Sequence, residues 1–177
     1  MRIIGISGVW SNKNPVWHNL AEAFSKEFPV SEFIVEEERN CNPWEIHKLR
    51  RFAEAIVRKY DDGTETLLVG HSLGGVIACG IANRFKRTPI QGVVTIFSPH
   101  HLFFGSVIDS PEVNGDLKAP VISFSAAYDE LVWWGAQHLQ AVAHIILRSN
   151  HFTDLVTNNE HACRIASEAK AHLFHEA

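Results

Sequence analysis

Short apolar runs alternate along this chain with longer stretches in which apolar residues recur every three or four positions. That alternation predicts strands interleaved with helices, the signature of a parallel sheet with crossover helices. The first strand is expected over Arg2 to Ser7. A helix from Pro15 to Phe28 follows, with Trp17, Leu20, Ala21 and Phe24 on one face and Pro15 suited to the first turn. Val30 to Val35 alternates as a strand should. Pro43 to Tyr60 carries a second helix, with Ile46, Leu49, Phe52, Ala53 and Ile56 on one side and Lys48, Arg51, Arg58 and Lys59 on the other. Asp61-Asp62-Gly63 stops it. Thr66 to Gly70 reads as a buried strand, and Leu73 to Lys86 as a helix so poor in charge along its first half that most of its sides must be buried. Val93 to Phe97, Val121 to Ser125 and His144 to Arg148 complete about six strands. A short helix is expected over Leu131 to Val142 and a closing helix over Asn158 to Phe174. Ser98 to Ala119 is the longest stretch without a regular pattern, broken by Pro99, Gly105, Pro111 and Gly115. No repeat or linker divides the 177 residues, so residues 1–177 read as one domain.

Composition narrows the function classes. The net charge is −4, with acids and bases interleaved, which leaves no basic footprint for nucleic acid. No apolar run is long enough to span a membrane. The chain opens straight into a strand-like run instead of a signal peptide, so a cytoplasmic location is expected. The three cysteines, Cys41, Cys79 and Cys163, are odd in number and far apart, and no C-x-x-C pair occurs. They read as small hydrophobes in a reducing compartment, with no disulfide framework, metal site or cofactor expected. The oligomeric state is left open.

The strongest local signal is Gly70-His71-Ser72-Leu73-Gly74-Gly75, which fits G-x-S-x-G. Five residues alone are a weak pattern. The strand Thr66 to Val69 immediately before and the helix beginning at Leu73 immediately after make it specific. Such a turn needs glycines where side chains would clash, strains the serine and lifts its hydroxyl at a helix N-terminus, where negative charge is favoured. A serine hydroxyl needs a base to become a nucleophile. In a strand–turn–helix site of this kind the partners follow in the order serine, acid, histidine. Asp129 lies just past the Val121 to Ser125 strand, with Glu130 its nearest rival, whereas Asp109 and Asp116 precede that strand and fit worse. His151 follows the last strand. Of the eleven histidines, His138, His144, His161, His172 and His175 read as surface residues and His71 as structural. His100 and His101 could line the mouth of a site.

With these pieces in place the chain resembles an α/β-hydrolase, and specifically the minimal, lid-less lipases and esterases of about this size. The resemblance runs from Ile3-Ile4-Gly5-Ile6-Ser7-Gly8 through Gly70 to Gly75, Ser125-Ala126-Ala127-Tyr128-Asp129-Glu130-Leu131-Val132 and Ser149-Asn150-His151-Phe152. It implies an α/β-hydrolase fold: a mostly parallel sheet of about six strands, helices on both faces and no cap domain. The apolar Val132, three residues after Asp129, matches the family and favours Asp129 over Glu130. The roles implied are Ser72 nucleophile, His151 general base and acid, and Asp129 the group orienting His151. The implied oxyanion donors are the backbone N–H of Leu73 and that of Val9, with Trp10 next; the histidine-glycine usual in lipases is replaced here by Ser7-Gly8. Phe103, Phe104, Trp133 and Trp134, with Trp10 and Phe152, fall in loops beside these residues and suit an apolar acyl site. The expected activity is hydrolysis of a small carboxylic ester through an acyl-enzyme. A catalytically silent binding module, and a thioesterase, amidase or acyltransferase on the same triad, stay open as alternatives.

Overall fold

The computed structural model describes residues 1–8, 15–28, 32–38, 42, 44–100, 117–132, 137–151 and 153–174. Six strands, β1 (Arg2–Ile6), β2 (Glu32–Glu36), β3 (Thr66–His71), β4 (Ile90–Ile96), β5 (Val121–Ala126) and β6 (Ala141–Leu147), form one sheet in the order β2-β1-β3-β4-β5-β6. Every pairing is parallel. Five helices are described: α1 (Val16–Glu27), α2 (Ile46–Tyr60), α3 (Leu73–Ala82), α4 (Thr153–Thr157) and α5 (Asn159–Leu173). None is long and apolar enough to cross a membrane. This is the parallel α/β sheet that the alternating pattern implied, and the described residues contain no inserted cap.

Successive strand residues point to opposite faces, so each buried strand feeds two cores. Ile3, Leu67, Val69, Val94, Ile96, Ile122 and Phe124 pack under α1 and α5. Ile4, Ile6, Leu68, Val93 and Val121 pack under α2 and α3. α1 buries Val16, Trp17, Leu20, Ala23 and Phe24, and α2 buries Leu49, Phe52, Ala53, Ile56 and Tyr60, both at helical spacing. Every residue of α3 is buried, as its lack of charge required. The asparagine Asn158 caps α5 by accepting the Glu160 N–H.

Several elements differ from expectation, three of them for a local reason. α3 stops at Ala82, not Lys86, because the Asp61 carboxylate takes the N–H groups of Lys86, Arg87 and Thr88 at 3.2, 2.8 and 2.9 Å. β4 begins at Ile90, ahead of Val93: Gly92 interrupts the apolar run, yet its missing side chain makes room for Leu173, whose Cδ1 would lie 2.8 Å from a Cβ there. The helix expected over Leu131 to Val142 is not formed in the part described. Ala141 and Val142 already belong to β6, which pairs with β5 through a register shift beside Val121, and the His138 N–H goes to the Ser123 hydroxyl at 3.1 Å. The short helix α4 was not anticipated.

Candidate active site

The sheet delivers Ser72 through a sharp reversal. β3 ends at His71, α3 starts at Leu73, and Ser72 between them sits at φ 55°, ψ −133°. A non-glycine residue in that region is strained and is held there by its surroundings. Two backbone bonds hold it: Ser72 N–H to Ile96 C=O at 2.8 Å and Gly75 N–H to Ser72 C=O at 3.0 Å. The glycines permit the turn by close approach. A Cβ on Gly70 would lie 2.3 Å from the Gly75 Cα, and one on Gly74 would lie 1.9 Å from the Ile6 carbonyl oxygen. Ser72 is half-buried, at the start of a helix whose first N–H groups have no acceptor within the helix.

The loops after β5 and β6 supply an acid and a base. They are tied together by Ala127 N–H to Leu147 C=O at 2.8 Å and Tyr128 N–H to Ser149 C=O at 3.0 Å. Within this frame His151 Nδ1 lies 2.8 Å from Asp129 Oδ2, both side chains being almost wholly buried. The other carboxylate oxygen, Oδ1, accepts the N–H groups of Leu131 at 2.9 Å and Val132 at 2.6 Å. Burial works to raise the Asp129 pKa. The hydrogen bond from His151 and those from the Val132 and Leu131 backbone outweigh it, and the carboxyl is held below its usual range. Asp129 is therefore an anchored anion whose free oxygen faces a histidine N–H, and exposed Glu130 makes no such contact among the described residues. His151 is itself fixed by the reciprocal bonds of Asn150 and Asp154, at 3.1 and 3.3 Å.

Two further residues frame His151. His71 is fully buried, its Nε2 is 3.1 Å from the His151 carbonyl oxygen, and the two rings are 5.2 Å apart. Burial, then the nearby His151, pushes the His71 pKa down to about 3. The ring is neutral at pH 7, so Nε2–H donates to the carbonyl. Phe97 packs 6.1 Å from the His151 ring and 6.2 Å from that of His71, at φ 51°. A positive φ on a bulky side chain is a second strained position at the same place. Nothing in the sequence marked Phe97, since a run of apolar residues does not reveal which one turns.

The structure thus brings Ser72, Asp129 and His151 to the C-terminal ends of β3, β5 and β6. Among the described residues no hydrogen bond joins Ser72 Oγ to His151 Nε2; such contacts are often long without substrate and tighten in the complex. The Leu73 N–H stands beside Ser72. A Cβ on Gly8 would lie 3.2 Å from both Leu73 N and Ser72 Oγ, so this glycine keeps that side clear. Ser7 next to it accepts the Trp17 indole N–H, which fixes the chain after β1. Val9, Trp10, His101, Phe103, Phe104, Trp133, Trp134 and Phe152 lie outside the described residues. His138, expected at the surface, is fully buried against His100, their rings 5.1 Å apart, because the segment before β6 folds inward to meet Ser123.

No protein-family model matches the chain, and no curated protein matches its sequence. Solved structures do match in shape. The ydeN gene product of B. subtilis superposes with a TM-score of 0.69 at 14% identity, covering 99% of both chains. A candidate hydrolase of the alpha/beta superfamily from Xanthomonas campestris gives 0.64 at 19% identity, over 96% of this chain and 98% of its own. The esterase domain of a Rhodothermus marinus protein gives 0.57 at 16% identity, over 97% and 87%.

Proposed function

The chain has the α/β-hydrolase fold, and from that premise we propose that it is a serine hydrolase of small carboxylic esters, acting through an acyl-enzyme on Ser72, His151 and Asp129. The observation that carries this reading is the buried 2.8 Å contact of His151 with an anchored Asp129, beside a serine held at φ 55°. A carboxylate on Nδ1 fixes the tautomer in which Nε2 has a lone pair. That lone pair takes the Ser72 proton as Oγ attacks the ester carbonyl. The carbonyl oxygen becomes an oxyanion, which the Leu73 N–H and the N-terminus of α3 stabilise, with the Val9 N–H as the second donor. Collapse expels the alcohol, which takes the proton back from Nε2. Water then attacks the acyl-serine by the same route, releasing the acid and restoring the serine.

The test is a panel of p-nitrophenyl esters of increasing chain length, with matched thioester and anilide substrates, on the wild type and on Ser72→Ala. Ester turnover that disappears in Ser72→Ala bears the reading out. Turnover of the thioester or anilide alone would move the substrate class. Turnover that survives in a folded Ser72→Ala would remove Ser72 from the chemistry.

A further inference from the structure

Behind the reactive serine, on the face of the sheet under α3, lies a buried polar cluster that the proposed ester chemistry does not use. Cys79 lies seven residues after Ser72 on α3, about 10 Å along its axis. His100 lies just past β4, and His138 just before β6. All three are buried: Cys79 and His138 are fully enclosed, and His100 is 6% exposed. Each offers one ligand atom, and these atoms lie within 4.8 Å of one another. The two rings meet edge to face at 87°. Backbone bonds hold the two histidines from below: His100 N–H to Ser98 C=O at 2.9 Å, and His138 N–H to Ser123 Oγ, which is itself 2.9 Å from Thr95 Oγ1. Three elements far apart in sequence thus bring one sulfur and two imidazoles to a single point, beside the buried hydroxyls of Thr95 and Ser123.

We propose that Cys79, His100 and His138 form a binding site for one zinc-type divalent ion. A thiolate with two imidazoles is the donor set of a borderline-soft ion and suits neither magnesium nor calcium, which take oxygen. Zinc bonds of about 2.0–2.1 Å to nitrogen and 2.3 Å to sulfur place one sulfur and two nitrogens in tetrahedral positions roughly 3.3–3.6 Å apart. The cluster closes by about 1 Å at its widest to reach that geometry, a side-chain adjustment. Three protein ligands leave the fourth position to water or a small anion. Binding replaces the Cys79 S–H bond by a sulfur–metal bond and releases that proton to solvent. His138 Nδ1 accepts the Gln140 N–H at 3.1 Å. Ligation through Nε2 requires its proton to move to Nδ1, and ligation through Nδ1 uses the accepting lone pair, so either route breaks that hydrogen bond. The turn before β6 is thus the part of the backbone that responds to the ion. None of the three ligands belongs to the proposed triad, so the two readings stand or fall separately.

The experiment is a cobalt titration of the chelator-treated full chain, with zinc as competitor. One cobalt per chain is expected, with a sulfur-to-cobalt charge-transfer band and the intense visible bands of a tetrahedral site. Zinc should displace it, raise the thermal midpoint and shift the Gln140 amide resonance. Cys79→Ser should remove the charge-transfer band. His138→Gln and His100→Gln should each weaken binding by roughly tenfold or more. Cys163→Ser, at the exposed thiol, should change nothing. A folded wild type with no band and no thermal shift would overturn the proposal and leave the cluster as polar packing. So would a band that survives Cys79→Ser and disappears in Cys163→Ser. If Cys79→Ser does not fold, the two histidine variants decide: unchanged affinity in both would equally overturn it.

Discussion

His71 links structure to stability at the scale of one residue. Its pKa is about 3 in the fold, against about 6.5 in an unfolded chain. Above pH 6.5 both states carry a neutral ring and the residue is indifferent to pH. Below that the unfolded chain gains a proton that the folded chain refuses, so stability falls with pH down to about 3. Between pH 6.5 and 5 the loss is on the order of 2 kcal/mol. His71→Gln keeps a donor for the His151 carbonyl and removes the titration, so urea unfolding of this variant should lose less stability from pH 7 to pH 5 than the wild type does. An equal loss in both would mean that His71 is not the group held neutral. The neighbouring acid gives a sharper contrast. Asp129 accepts His151 Nδ1–H with Oδ2 and two backbone N–H groups with Oδ1, and an amide cannot fill both roles in the same orientation. Asp129→Asn should lower kcat on the order of 10⁴-fold by admitting the wrong histidine tautomer, while Glu130→Gln stays within several-fold of wild type. The reverse order in steady-state assays would move the orienting role to Glu130.

Elements matter here through how closely they approach. α3 can start at Leu73 only because Gly74 lets it lie on the end of β1: a Cβ would meet the Ile6 carbonyl oxygen at 1.9 Å, and backbone cannot rotate aside. Gly74→Ala should therefore cost about 3 kcal/mol, the upper end for overpacking, and take most ester turnover with it by displacing Ser72. Gly63→Ala is the comparison. Its φ is +92° with nothing within 4 Å, so backbone strain of about 1–2 kcal/mol is its whole cost and turnover should persist. Chemical denaturation with a parallel ester assay checks both, and a Gly74→Ala variant as stable as wild type would contradict the close approach. These contacts also mark what the sequence could reveal. Strand β3, the Ser72 turn and helix α3 were legible because glycine spacing, a short apolar run and a charge-free helix all follow from local chemistry. Asp129 and His151 were legible as positions past strand ends. The segment before β6 was not: the apolar residues of Leu131 to Val142 are compatible with a helix, and the bond that draws the chain elsewhere, His138 N–H to Ser123, joins residues on different elements. The meeting of Cys79, His100 and His138 was hidden for the same reason, since no local spacing encodes a contact made by three separate elements.

At the scale of the whole molecule, the sheet order β2-β1-β3-β4-β5-β6 does the positioning. β1 and β3 are neighbours, so Gly8 and Ser72 emerge side by side. β4, β5 and the edge strand β6 follow in order, so Phe97, Asp129 and His151 arrive at the same end of the sheet from three adjacent strands. The central claim is that this arrangement makes Ser72 a nucleophile, and labelling of the intact protein with a fluorophosphonate tests it most directly. One label per chain is expected, mapped by peptide mass spectrometry to Ser72, absent in Ser72→Ala and much slower in His151→Ala. A folded protein that takes no label, or takes it on another serine, would contradict the account.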